Sequence, residues 1–447
     1  MALEETRTGV YERPFDTLEK FHLTVASTGA ASSKEDWIVG SVVKLSIKPE
    51  IVDLRGAWIA LRHLHPRIAA VADEKRENLQ YTVPTSEALE QWLQKTFIVH
   101  SEGDLDASKL QRVLPPTSLF KLHYVPASRE LLFRASHWRT DAIGIMLIQD
   151  AYLSILSASP QEVVFDGSEI SRIAPTMDEL LAPNFEVTED VKQATQDVLS
   201  FALNGPQIAS FKEAKSDIIP GETYRTSRKF SKEETQLIVS GAKTRGLTVS
   251  TALQSAVLLT ASQNSAPLDG RMIYFNIFNV RKYLPAPWNG AEGSAGLYHT
   301  ARLHGFNLND EKDFASISKA LQSHFAKDIR DHFRSMPSIA QLYASMVAPP
   351  IEIANQDPLS ARLQFSPFGI VDDNLRARFE GSRYTLEIEN WWLDVQTIKK
   401  GLLTFVWTRD GELHISQNYN EAFYEHQFVE RFIEEWKSCI EKEFINP

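Results

Sequence analysis

The stretch Ser136-His137-Trp138-Arg139-Thr140-Asp141-Ala142-Ile143-Gly144 decides how the rest of this chain is read. On its N-terminal side, Leu119–Val125 and Leu131–Ser136 read as two short strands around the polar turn Pro126-Ala127-Ser128-Arg129-Glu130. On its C-terminal side, Ile145, Leu147, Ile148, Tyr152, Leu153, Ile155 and Leu156 mark an apolar helix that starts at Gly144 and closes near Pro160. A histidine thus falls where a strand gives way to a helix. From there it can project into a cleft, and an imidazole with an ordinary pKa of about 6.5 suits removal of a hydroxyl or amine proton. The carboxylate four residues on does not orient that ring directly in an extended-then-turning segment; it suits a brace to an arginine elsewhere. His-x-x-x-Asp alone arises often by chance, so its surroundings must decide its meaning.

Moving outward, Trp37–Ile47 is a partly alternating β-type run. Asp53 then caps a helical pattern through Leu54, Ile59, Leu61 and Leu64 that Pro66 stops. After a Pro-containing crossover at 160–187, a helix is predicted over about 188–203, ending at Asn204-Gly205-Pro206. The second half predicts a strand at Thr223–Phe230, a helix opened by the capping box Ser231-Lys232-Glu233-Glu234, and a helix at Ser250–Gln263. A strand at Arg271–Val280 and a Pro/Gly-rich loop at 281–296 come next, then helices at Asp313–Arg330 and Pro337–Ser345. Strands are predicted at Arg362–Phe368, Arg383–Asn390, Leu402–Trp407 and Glu412–Tyr419, with Arg409-Asp410-Gly411 as a hairpin turn. An amphipathic helix, Glu425–Glu443, closes the chain.

A chain of 447 residues exceeds what one hydrophobic core supports, since cores stop growing at roughly 250–300 residues. Two α/β domains are expected, 1–205 and 206–447. A hydrophobic content of 43% with 23% charged residues fits a folded protein rather than a disordered one. The net charge of −11 argues against a phosphate-backbone partner, so no nucleic acid is expected; a local basic patch for an anionic substrate stays possible on an acidic protein. Cys439 stands alone, which excludes an intrachain disulfide and a cysteine metal cage. Met1–Pro14 is charged and lacks the apolar core of a signal peptide, and no run reaches the ~18 apolar residues of a membrane span. A cytoplasmic protein with no membrane partner is expected.

Most catalytic signatures are missing. There is no Gly-x-Gly-x-x-Gly, phosphate loop or His-Glu-x-x-His. Gly293-Ser294-Ala295-Gly296 approaches a nucleophile elbow, but Glu292 stands where its first glycine belongs. His63 and His65, two apart near a helix end, point different ways and do not suit a shared metal; no metal is expected. The ring-rich segments Trp391-Trp392, Trp407 and Phe423-Tyr424 read as core.

With those alternatives removed, the His137–Asp141 run resembles the His-x-x-x-Asp-Gly signature of the coenzyme A-dependent acyltransferase superfamily. That group includes the BAHD acyltransferases, the condensation domains of peptide synthetases and fungal tailoring acyltransferases such as trichothecene 3-O-acetyltransferase. Further pieces follow in order. Arg62-His63-Leu64-His65-Pro66-Arg67-Ile68 is similar to the early helix that closes on His-Pro, and Ser250–Gln263 to the second-domain helix. Asn279-Val280-Arg281 resembles the Asn-x-Arg element, and Ser366-Pro367-Phe368-Gly369-Ile370 the Ser-x-x-Gly strand entrance.

The resemblance implies an α/β fold of two chloramphenicol-acetyltransferase-like domains, each a mixed sheet flanked by helices, with an interdomain tunnel. It implies transfer of an acyl group from a thioester, acyl-CoA as co-substrate and no permanently bound cofactor, to a hydroxyl or amine of a small secondary metabolite. His137 would be the base, Asp141 a structural brace and Arg281 its partner. Ser136, Gly144, Asn279, Ser366 and Gly369 would line the substrate path, in a monomer. Departures matter. Ala142 replaces the usual glycine after the aspartate. The Asp-Phe-Gly-Trp-Gly element of plant BAHD enzymes is absent, and Ser136 stands where peptide-forming condensation domains carry a second histidine. A stand-alone tailoring enzyme fits best. A cofactor-free cyclase or dehydratase acting on a polyketide or terpenoid, and a non-catalytic binding protein, remain the rival expectations.

Overall fold

The computed structural model describes residues 3–101, 103, 105–160, 162–181, 189, 193, 196, 209–266, 270–307, 310, 312–326 and 363–446. The predicted helix at Pro337–Ser345 and the tail of the one at Asp313–Arg330 lie outside the described residues, as does the one at about 188–203 apart from residues 189, 193 and 196. The described residues form two compact units that are not contiguous in sequence. One comprises Met1–Phe185, Asn279–His299 and Val371–Gln396; the other comprises Glu186–Phe278, Thr300–Ile370 and Thr397–Pro447.

In the first unit a six-stranded sheet runs in the order Arg378–Glu380, Thr385–Val395, Ile38–Leu45, Glu130–Ser136, Lys121–Val125, Phe97–Val99. Its pairs are antiparallel except the last, which is parallel. Ile38 sits opposite Ser136 and Val43 opposite Leu131, so the strand that leads to His137 is pinned from its first residue to its last. The helices Ile51–Leu64 and Ala142–Ala158 pack together through Trp58, Phe133 and Tyr152, all buried, and the Tyr152 hydroxyl donates to the Leu54 carbonyl at 3.0 Å. Asp53 lies in the first turn of its helix, after Glu50 as cap, and its carboxylate takes Arg383 at 3.0 Å.

Several elements went unread in the sequence, among them the helices Ser86–Thr96 and Ala107–Val113, and one of them bears on the site. Asp16 and Glu19 form a capping box that starts a helix at Thr17–Ser27. Arg13 donates to both Glu19 oxygens at 2.8 Å, and Arg67 Nη2 donates to Glu19 at 2.6 Å and to the Trp138 carbonyl at 3.3 Å. Burial opposes ionisation of Glu19, but the two guanidinium groups win and bring its carboxyl down to about 2.

In the second unit the six-stranded sheet runs Thr223–Lys229, Glu412–Asn420, Leu402–Arg409, Leu363–Ile370, Arg271–Asn279, His299–Asn307. Leu363–Ile370 is parallel to both Arg271–Asn279 and Leu402–Arg409, while the first two pairs are antiparallel, so this sheet is mixed. Its core gathers Leu363, Phe365, Val406, Ile415 and the helices Lys232–Thr244, Val249–Gln263, Phe314–Phe325 and His426–Phe444. The Ser231/Glu234 capping box is present, and Asp410 and Gly411 both take positive φ (49° and 76°), as a two-residue hairpin requires. Among the described residues no helix is long and apolar enough to cross a membrane.

Candidate active site

The Glu130–Ser136 strand ends in one 3-10 turn, His137–Arg139, before Asp141 caps the helix Ala142–Ala158. The helix starts two residues earlier than its apolar pattern suggests, because the Asp141 carboxylate accepts from the Gly144 amide at 2.8 Å. Trp138 and Arg139 anchor the turn from within. Trp138 meets Phe15 edge-on at 5.4 Å, and Arg139 donates to the carbonyls of Ala70 (2.6 Å) and Ser118 (2.9 Å). Burial pushes the Arg139 guanidinium down to about 9. With its neighbours turned inward, His137 is the half-buried member of an otherwise buried turn.

Asp141 is fully committed as a brace. Arg281 Nη1 donates to its two oxygens at 2.8 and 3.0 Å, the Gly144 amide to one and the Tyr298 amide to the other at 2.7 Å. Burial alone would raise this carboxyl; the Arg281 charge overrides it, and His299 and the Gly144 amide add to the effect, so it stays far below the usual carboxylate range. Arg281 is delivered by an Asx turn in which the Asn279 side-chain oxygen accepts from the Arg281 amide at 3.0 Å. Its Nη2 reaches toward the carbonyls of Gly293 and Gly296 at 3.3 and 3.4 Å, which ties in the Gly-rich loop.

Not all the expected substrate-lining residues are placed as lining. Gly144 is buried: a Cβ there would meet the Ser294 carbonyl and the Thr140 hydroxyl at 2.3 Å each, so glycine serves close packing behind the brace. Asn279 shapes the turn that carries Arg281. Ser136 is buried, with its hydroxyl beside the Glu35 carboxyl, which burial pushes up to about 7. Ser366 and Gly369 lie on the Leu363–Ile370 strand of the other unit, Gly369 with φ +75° at a register shift. Ser294 of the near-elbow has no exposed surface, and its hydroxyl pairs with His65 Nδ1 at 3.0 Å. His63 faces Arg172 instead, so these two histidines have separate partners. The Cys439 thiol is pushed up by burial to about 11.

Two residues the sequence reading missed stand against His137. The His22 ring is stacked on the His137 ring, with centroids 4.3 Å apart and planes 16° apart. His299 lies 5.2 Å from His137, and its Nε2 is 3.2 Å from His22 Nε2. Trp37 closes in at 6.3 Å from His137. Burial, then the neighbouring His299, lowers the His137 imidazole to about 4, and burial with the same cluster holds His22 well below its ordinary value. The Asp16-x-x-Glu19 capping signal could have revealed the helix carrying His22; nothing local marks His299.

Two mixed sheets with flanking helices, and a His-x-x-x-Asp run that spans a strand end and a helix cap, give the chain the condensation-domain-like fold of an acyltransferase. No protein-family model matches it. Among individual relatives, it is 25% identical over 443 residues to acetyltransferase pigO of Monascus ruber, across 95% of this chain and 94% of that one. It is 24% identical over 464 residues to O-acetyltransferase pigM of the same organism, across 99% and 87%. The structure of the trichothecene 15-O-acetyltransferase TRI3 from Fusarium sporotrichioides superimposes with a TM-score of 0.79 at 14% identity, over 98% of this chain and 97% of that one.

Proposed function

We propose that His137 is the general base for acyl transfer from an acyl-CoA thioester to a hydroxyl of a small secondary metabolite. The acceptor oxygen attacks the thioester carbonyl as its proton passes to His137; the tetrahedral intermediate collapses, and the departing thiolate takes that proton back. The carrying observation is the His137 imidazole itself, half-buried at the end of a pinned strand and lowered to about 4. It is therefore neutral at working pH and free to accept. The imidazolium it becomes is poorly tolerated there, which favours quick delivery of the proton to the leaving group. Asp141 spends its oxygens on Arg281, Gly144 and Tyr298, so it holds the turn and takes no proton. The relatives' names support acetyl-CoA as the first donor to try. A monomer in the cytoplasm, where such thioesters are made, completes the reading.

The test uses acetyl-CoA with a panel of hydroxylated polyketides and trichothecenes, following free thiol and the acetylated product. His137→Ala is expected to lower kcat by a factor on the order of 10²–10⁴ with an unchanged melting curve. Turnover equal to the parent protein would remove the mechanism.

A further inference from the structure

We infer that His22 and His299 are positioning residues for the His137 base: His299, oriented by Asp141, fixes the tautomer of His22, and His22 then lies neutral and flat against His137. The inference deepens the proposed function and rests on it only for the role of His137.

With one hydrogen on each ring, the geometry leaves one consistent arrangement. A single hydrogen fits between His22 Nε2 and His299 Nε2 at 3.2 Å, so one ring donates and the other accepts. The other nitrogen of His299, Nδ1, faces Asp141 Oδ2 at 3.9 Å. Arg281 keeps that carboxylate ionised, so a lone pair on Nδ1 would be repelled and an N–H attracted. His299 therefore carries its hydrogen on Nδ1 and offers Nε2 as an acceptor. His22 must then carry its hydrogen on Nε2. Asp141 thus sets the tautomers of both rings in turn, although its own oxygens never bond to His137.

The stack is built rather than incidental. His22 sits on the Thr17–Ser27 helix, and Glu19 of the same helix is bound by Arg67, which also donates to the Trp138 carbonyl in the His137 turn. Helix and turn are therefore tied on either side of the stacked pair. When His137 takes the acceptor's proton, the new cation faces the π surface of a neutral ring, which attracts it; a protonated His22 would repel it. His22 and His299 gain and lose no proton in the cycle. The hydrogen moves from acceptor to His137 and on to the thiolate.

The test is a two-bond 1H–15N correlation spectrum of the full chain with 15N-labelled histidine at neutral pH, with His22→Leu and His299→Leu to assign the rings. His299 is expected to be protonated at Nδ1 and His22 at Nε2. His299→Leu removes the acceptor and should disorder the His22 tautomer and lower kcat about tenfold with KM within about twofold, the cost of one lost hydrogen bond. His299→Gln keeps an acceptor within reach of His22 and should restore turnover to within about threefold of the parent. A His299 hydrogen on Nε2 overturns the inference, as does His299→Leu turnover equal to the parent, or Gln as damaging as Leu. Should the Leu variant not fold, the parent spectrum and the Gln variant decide. If His137→Ala retains full turnover, the base assignment falls, while the tautomer order is still read from the parent spectrum.

Discussion

Replacing Arg281 with methionine would remove the cation from the Asp141 brace while keeping most of the side-chain volume. Asp141 would lose the two bonds at 2.8 and 3.0 Å and keep the Gly144 and Tyr298 amides at 2.8 and 2.7 Å. Both partners are almost fully buried, at 4% and 6% side-chain exposure, so solvent cannot replace the lost charge. Breaking a buried pair from one side costs about 3–5 kcal/mol. At about 2–4 °C per kcal/mol for a unit of this size, the melting midpoint should fall by roughly 6–20 °C. Thermal unfolding followed by circular dichroism measures this directly. A second variant isolates the charge: Asp141→Leu combined with Arg281→Met leaves no orphaned carboxylate and should be less destabilised than the sum of the two singles by at least about 2 kcal/mol. An Arg281→Met protein that melts with the parent, or a double variant whose losses simply add, would refute the brace.

Two further outcomes follow from the same site. Gly144→Ala sets a helix-propensity gain of ~1 kcal/mol against contacts at 2.3 Å to a backbone carbonyl and a hydroxyl, which must push chain apart. A net loss of about 1–2 kcal/mol is expected by denaturant titration, and a raised midpoint would show that the packing behind the brace is loose. The acid limb of kcat/KM should lie near pH 4 rather than near the ordinary histidine value, because the base works only when unprotonated and His137 is lowered to about 4. The groups facing it are His22, His299 and Asp141, the last neutralised by Arg281. Activity is present above that pH and lost as pH falls through it, and a limb near pH 6.5 would contradict the desolvated ring.

Particular residues show what was legible. The strand before His137 and the apolar helix after it were readable, because periodicity and turn residues are local. The Ser231/Glu234 capping box and the Asp410-Gly411 turn were readable for the same reason, since each motif satisfies its own backbone groups within a few residues. Arg281 was reached only through resemblance, because nothing within its own stretch distinguishes an arginine that will be buried against a carboxylate 140 residues away. Gly144 was expected at the substrate and sits instead in packing contact with Ser294, a partner that lies in a distant loop.

His22 and His299 carry the point furthest. Neither sits in a recognisable motif, and their 277-residue separation hides the 3.2 Å contact between their rings. Sequence by itself determined many of the element types and the turn that presents an imidazole, which depend on hydrogen bonding and burial patterns repeated over short spans, while the fold class came through resemblance. Tertiary structure alone decided which rings stand against His137 and how closely the expected arginine is buried against Asp141. Those are set by desolvation and by charges brought together across long loops, and no short-range pattern encodes either.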